Sequence, residues 1–418
     1  MLGSILNQFR ILNRPARLFL VALFLDGLLF SGWILFFNLF IIESGHSREF
    51  LGLANAAPSL SALVLGVPMG LLSDRMGRKR AMIAGFAIAN LAIIAMLLSR
   101  HEAVILFFAL VYGAAGQLYI VSHAPFMMKI SDDRSRDILF SVSFGMFPLA
   151  STAGNFLSGY LPGLFKGWFH ITSSALAYQG VLLFCVISSF LVLVPIAFIH
   201  EPGIARPDAV AGAKDPKPSI WKVLLRPLTI KLSLPNLAIG FGAAILVPYF
   251  NVFFAERHQM SDASLGLLFG AGSLLTGVAC IIGPRLVGNL GGKVRMVILG
   301  QGVSLAFLLM IGFSPRPWLA VVGFLARGAL MNMVAPLFDA FGLELSRESE
   351  HGAVNSIRSL ALNVGWAVGP YISGLVQQRY GFSPLFISTA VLYAVSILLV
   401  WIFFRPGAAR TLEQAPLR

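Results

Sequence analysis

Charge is scarce in this chain. Only 12% of its 418 residues are Asp, Glu, Lys or Arg, about half the share of an average soluble protein. Acids are scarcer than bases, 18 against 31, which argues against an ordinary soluble surface of interspersed charge. Cysteine is nearly missing. Cys185 and Cys280 are the two present, each inside an apolar run, so they read as small packing residues and not as a disulfide framework or metal site. No Gly-Lys-Ser/Thr phosphate loop marks an ATP-driven pump. The seven histidines form no cluster of the kind that a polytopic membrane enzyme would need. The alternation of barrel strands is absent as well.

What is present is apolar length. The chain is 57% hydrophobic with a mean hydropathy of +0.82. Runs of about 20 apolar residues recur from Val21 to Phe404, each enough to cross the hydrocarbon of a bilayer as a helix. They predict twelve spans, near 18–42, 51–73, 80–99, 103–128, 138–161, 176–199, 228–255, 264–288, 294–313, 317–342, 353–378 and 383–404. The expected organisation is a lead over 1–17, a six-helix bundle over 18–199, a Pro- and Ala-containing polar linker over 200–227, a second six-helix bundle over 228–404 and a tail over 405–418. The first run has no small-residue cleavage site behind it and reads as a retained helix.

The formal net charge of +13 is membrane topology and not a nucleic-acid surface. Arg10, Arg14 and Arg17 precede the first span, Arg75, Arg78, Lys79 and Arg80 follow the second, and Lys129, Arg134 and Arg136 follow the fourth. Bases gather again around the central linker, near Arg285–Arg295 and in the tail. Every second loop is basic, which is the positive-inside pattern, and it predicts both termini in the cytoplasm. A shift of 215 residues sets Gly77 on Gly292, Arg78 on Lys293, Gly85 on Gly300 and Gly154 on Gly369. The halves therefore read as a repeat, and a repeat of six spans places a substrate site between halves near the midplane.

One loop narrows the class. Between spans two and three stand Gly70, Asp74, Arg75, Gly77, Arg78 and Lys79. This pattern resembles the signature of the major facilitator superfamily, G-x-x-x-D-R-x-G-R-K/R, and the resemblance covers nearly all of 18–404. It implies a carrier of two pseudo-symmetric six-helix bundles working by alternating access, normally as a monomer, with this loop as a conformational switch. The residues make physical sense there: Gly70 is expected to admit a neighbouring helix, Gly77 a tight turn, and Asp74 an ion pair with Arg75, Arg78 or the other half. The same resemblance assigns a cytoplasmic gate to the charged loops after spans four and ten, with Asp132, Arg134, Arg347 and Glu348; solvated loop charges are the plain alternative, and Asp339, near the cytoplasmic end of span ten, reads as a gate or cap residue. Tyr112 stands where proton-driven drug antiporters of the family usually carry Arg, and span five lacks their Gly-Pro run.

Charges inside spans are costly and mark function by default. Asp26 lies about nine residues into span one and Arg327 about ten into span ten, each near the midplane at 1.5 Å per residue. The resemblance puts spans one, four, seven and ten around the cavity. Asp26 then reads as a protonatable coupling residue, since a carboxyl group in a low-dielectric cavity exchanges protons nearer neutral pH, and Arg327 as its counter-ion or an anchor for an anionic group. A static pair is the alternative. His123 reads as a proton shuttle or a packing histidine, and Gln117, Asn251 and Asn332 as cargo contacts or helix-to-helix glue. Arg358 is expected to snorkel to the interface.

The expected function is secondary transport of a small molecule, proton-coupled and without a cofactor, leaning to efflux of amphipathic, drug-like compounds. A carrier of organic anions, or a receptor or scaffold on a carrier fold, are the alternatives. No enzymatic activity and no nucleic-acid partner are expected. The bilayer is the expected environment, as a multi-pass protein of the cell membrane.

Overall fold

The computed structural model describes residues 12–404 apart from 133–134, 201–219, 289–290 and 348–349. Helix is the only regular structure among them, as the apolar runs require. In chain order the helices are α1 (Arg14–Glu43), α2 (Arg48–Met76), α3 (Arg78–Leu98), α4 (Glu102–Ile130), α5 (Arg136–Phe169), α6 (Ser174–Ala197, with a 3-10 turn at Phe190–Val192) and the short α7 (Ile220–Leu224). There follow α8 (Pro227–Leu246), α9 (Phe250–Arg257) after a 3-10 turn at Val247–Tyr249, α10 (Asp262–Leu286), α11 (Lys293–Phe313), α12 (Pro317–Glu344), α13 (His351–Tyr380) and α14 (Ser383–Phe404).

Eleven helices among the described residues are long and apolar enough to cross a membrane, with α8, its 3-10 turn and α9 counting together as Pro227–Arg257. The remaining expected span, 138–161, is helical within α5 but is not one of the eleven. Ser141, Ser143, Ser151, Thr152, Asn155 and Ser158 thin its apolar run. Several of these hydroxyls return to the backbone: Ser143 to Leu139 O at 2.7 Å and Thr152 to Pro148 O at 3.0 Å.

Local chemistry sets the helix ends. The Asn13 side chain accepts from Ala16 N at 2.9 Å and donates to Ile130 O at 2.7 Å, so it caps α1 and ties it to the end of α4. Pro15 sits in the first turn, where its missing N–H costs nothing. Ser47 and Ser173 cap α2 and α6.

The chain divides into two compact units. One is Met1–Ala213 with Asn251–Leu274; the other is Lys214–Phe250 with Leu275–Arg418. In the first, α1 packs on α5 and α6, and α3 and α2 pack on α4. In the second, α8 packs on α13 and α14, and α11 on α12. The repeat seen in sequence thus returns as packing. A Cβ on Gly85 would come within 2.7 Å of Ala115 O and 2.8 Å of Tyr119 N, and one on Gly300 within 2.5 Å of Val334 Cγ1. Val334 is Tyr119 shifted by 215. Gly154 lies against the Leu28 carbonyl and Gly369 against Ala244, one residue beyond the place that the same shift gives.

Candidate functional site

In the first unit a partly open cavity of about 730 Å³ is lined by α1, α3, α4, α5 and α6. From α1 come Phe19, Leu23, Asp26, Phe30 and Trp33, spaced by three or four so that they share one helix face. From α4 come Tyr112, Tyr119 and His123, and from α5 Phe140, Phe144 and Phe147. Asn90, Ser143 and Ser189 add neutral polar groups. Among the described residues of this lining, Asp26 is the one carboxylate, and neither Lys nor Arg takes part.

Tyr119 Oη donates to Asp26 Oδ2 at 3.3 Å. One turn further along α4 the His123 ring stands edge-on to Tyr119, with centroids 4.2 Å apart, and to Phe19 at 5.7 Å. Its Nε2 is buried without a hydrogen-bond partner among the described residues. Trp33 lies 5.9 Å from Tyr112, and Phe30 lies 6.3 Å from Phe147, centroid to centroid. The arrangement is a largely aromatic chamber with, among the described residues, a single acid.

The other sequence candidates fall elsewhere. Asn251 is 1% exposed and fully engaged: its Nδ2 donates to Leu35 O at 2.8 Å, while its Oδ1 accepts from Asn38 at 3.2 Å and from Val252 N at 2.9 Å. It joins α1 to α9 and does not line the chamber. Gln117 points to another face of α4, toward Gly66. Asn332 is exposed in the second unit, and its amide returns to Gly328 O at 2.9 Å.

Arg327 lies in the second unit, buried. Its Nη2 donates to Tyr393 Oη at 2.5 Å, and the guanidinium lies 5.6 Å from the Phe250 ring and 5.7 Å from that of Tyr393. Its Nε has no hydrogen-bond partner among the described residues.

The loop between α2 and α3 is built as a brace. Gly77 turns with φ +87°, the left-handed region that the sequence reserves for glycine. Asp74 pairs with Arg78, whose Nη1 also donates to Ser73 Oγ at 3.0 Å; Ser73 Oγ is 2.6 Å from Ser122 Oγ on α4. Lys79 Nζ donates to Ala197 O and Ile199 O, both at 2.7 Å, and so caps the end of α6. The close helix approach expected at Gly70 is not made, since a Cβ there would meet nothing within 4 Å.

Of the expected gate residues, Arg134 and Glu348 lie outside the described residues. Asp132 Oδ1 accepts from Ser135 N at 2.8 Å, and Arg347 is exposed. Asp339 accepts from Arg358 at 2.8 Å. Arg358 does not snorkel outward: it is 1% exposed, stacked 5.1 Å from the Phe338 ring and held by the Phe338 and Asp339 carbonyls. Two further pairs, Lys293 with Glu344 and Arg226 with Glu350, stand in the same unit.

The profile described as Major Facilitator Superfamily matches residues 19–344 and 237–417. Among curated proteins, the multidrug resistance protein MdtG of Dickeya zeae is 24% identical over 405 residues, covering 93% of this chain and 94% of the relative. The multi-drug resistance efflux pump PmrA of Streptococcus pneumoniae is 24% identical over 394 residues, covering 91% and 94%. Among solved structures, a bacterial homolog of the human lysosomal transporter Spinster, in an inward-facing and unoccupied conformation, superposes with a TM-score of 0.76 at 12% identity, covering 96% of this chain and 98% of that one. The nucleoside transporter NupG follows with 0.75 at 11%, covering 94% and 100%.

Proposed function

The chain belongs to the Major Facilitator Superfamily, a family of membrane transporters, and we propose that it is a proton-coupled carrier that exports amphipathic, drug-like compounds by alternating access. The observation that carries this reading is Asp26, the one acid among the described residues that line a largely aromatic chamber, hydrogen-bonded to Tyr119. A buried carboxyl that alternates between a proton and a cargo couples the two, because occupancy by one excludes the other. The relatives named for multidrug resistance and efflux, at 24% identity over most of their length, favour export. In this reading α5 is the twelfth span, both termini lie in the cytoplasm, the α2–α3 loop belongs to the conformational switch, and the protein works as a monomer.

The test is uphill flux of the dye ethidium in proteoliposomes under an imposed pH gradient. Wild type concentrates the dye against its gradient. Asp26→Asn loses uphill transport and retains downhill exchange. Uphill transport that survives in Asp26→Asn, with the same pH dependence, refutes the coupling role.

A second reading rests on Arg327. Among the described residues of its unit no carboxylate pairs with it, so a buried guanidinium with an open Nε is free to hold an organic anion. Competition of the ethidium flux by aryl carboxylates, abolished in Arg327→Gln, distinguishes that reading from the first.

A further inference from the structure

The chamber of the first unit is long, narrow and open on one side. Its wall on α1 runs from Phe19 to Trp33, about 21 Å at 1.5 Å per residue, and its wall on α4 from Tyr112 to Met127, about 22 Å. A volume of about 730 Å³ over that length makes a passage about 7 Å across. The two sides of the passage differ. On α4 and α5, Ile120 is 61% exposed and Phe144 81%, so the chamber opens between these helices. On α3 and α6, Ala89, Ile93, Leu182 and Val186 line it and none is more than 6% exposed, so that side is blind.

The polar groups on the blind side are engaged with the protein. Ser189 Oγ donates to Asn90 Oδ1 at 2.7 Å, and Asn90 Nδ2 donates to the Phe86 carbonyl at 2.8 Å. What remains for a guest there is mainly apolar wall. Length and narrowness then select its shape. A passage about three times as long as it is wide is filled by an extended chain lying along it. A compact or branched body fills one part and leaves the rest as void, whose walls lose their contacts. Each methylene that leaves water for such a wall raises affinity about fourfold.

We propose that the blind side of the chamber, between α3 and α6, is the site for an unbranched alkyl chain of the cargo, and that Ala89, Ile93, Leu182 and Val186 set how long a chain it takes. The head of the molecule stays at the open side, between α4 and α5. This deepens the carrier reading and rests on it. The selectivity it adds is one of length, applied by two helices and independent of the charge of the head. A phospholipid of the bilayer carries the same kind of chain, and the experiment separates the two sources.

The test uses neutral n-alkyl β-D-glucosides, from hexyl to hexadecyl, below their micellar concentrations. Equilibrium binding is measured to the purified full chain in nanodiscs, with protein-free nanodiscs subtracted, and is referred to the free aqueous concentration. Wild type is expected to gain about fourfold in affinity per methylene up to one chain length and nothing beyond it. Ala89→Leu, which fills the blind side, moves that limit to shorter chains. Ile93→Ala, which hollows it, moves the limit to longer ones and decides alone where Ala89→Leu fails to fold. Ile88→Ala, on the exposed face of the same helix, moves nothing. A wild type without a limit, or a limit that stays in place in the folded variants of Ala89 and Ile93, overturns the proposal. Native mass spectrometry of the same preparation reads the other source. A phospholipid that stays bound to wild type, resists displacement by dodecyl glucoside and is lost in Ala89→Leu assigns the chain to the bilayer and overturns the cargo assignment. Uphill flux of ethidium is read on the same protein in proteoliposomes. Length-limited binding without flux defeats the carrier reading alone, and flux without a length limit defeats this inference alone.

Discussion

The phenol of Tyr119, on α4, donates to the carboxylate of Asp26, on α1, at 3.3 Å, in a chamber whose lining includes Phe30, Trp33 and Phe147. It fixes where the acid points. Tyr119→Phe keeps the ring and its contacts with Phe86 and His123 and deletes one donor to a charged group. The expected loss is about tenfold in transport kcat/KM, from an interaction of about 1.5 kcal/mol, with thermal stability unchanged. A stability loss with normal transport contradicts the positioning role.

Close helix packing should show as a graded sensitivity to one methyl group. At Gly113 a Cβ overlaps the Pro58 carbonyl backbone, and at Gly70 it meets nothing. Gly113→Ala is expected to destabilise the protein by about 1–3 kcal/mol through overpacking, read as a lower Tm in detergent. Gly70→Ala leaves Tm where it was.

The α2–α3 loop separates into a bracing cation, Lys79, and an exposed one, Arg75. Lys79→Met loses two hydrogen bonds to the end of α6 and is expected to cost about 1 kcal/mol of stability. Arg75 is exposed in the last turn of α2. Arg75→Met should leave Tm unchanged and lower transport turnover, the pattern of a residue used during the conformational cycle. Equal Tm losses in both variants contradict this division.

Arg358 and Asp339 form an unequal pair, one side chain 1% exposed and the other 60%. Arg358→Ala empties a buried site and is expected to cost about 3 kcal/mol. Asp339→Asn removes a solvated partner while the two carbonyls and the Phe338 ring remain, for about 1 kcal/mol or less. Paired melting curves check the order.

Much of this was readable in the chain, and the reasons are physical. Apolar runs of spanning length give helices because lipid offers no other partner for the backbone. Gly77 and Gly292 carry positive φ at corresponding turns of the two halves, as their place in the repeat implies. The chamber's walls were not readable in the same way. Phe19, Leu23, Asp26, Phe30 and Trp33 form a stripe with helical spacing, a signal that was present but lost among 35 phenylalanines. The contributions of α3 and α6 depend on how five helices meet, which no single helix records. Arg358 looked interfacial by its position near a helix end, and only the Phe338 ring and the carbonyls beside it explain its burial. Asn251 illustrates the opposite error of type: an amide on an expected cavity helix that the fold spends on joining α1 to α9.

The central claim is that a proton and the cargo compete for Asp26. Proton release on binding tests it most directly. Tetraphenylphosphonium is added to weakly buffered, detergent-purified protein, and the proton count is followed with a pH dye from pH 6 to 8. The account predicts a release that reaches about one proton per bound cation at its maximum and vanishes in Asp26→Asn. Binding with no proton release in wild type, or the same release in Asp26→Asn, contradicts it.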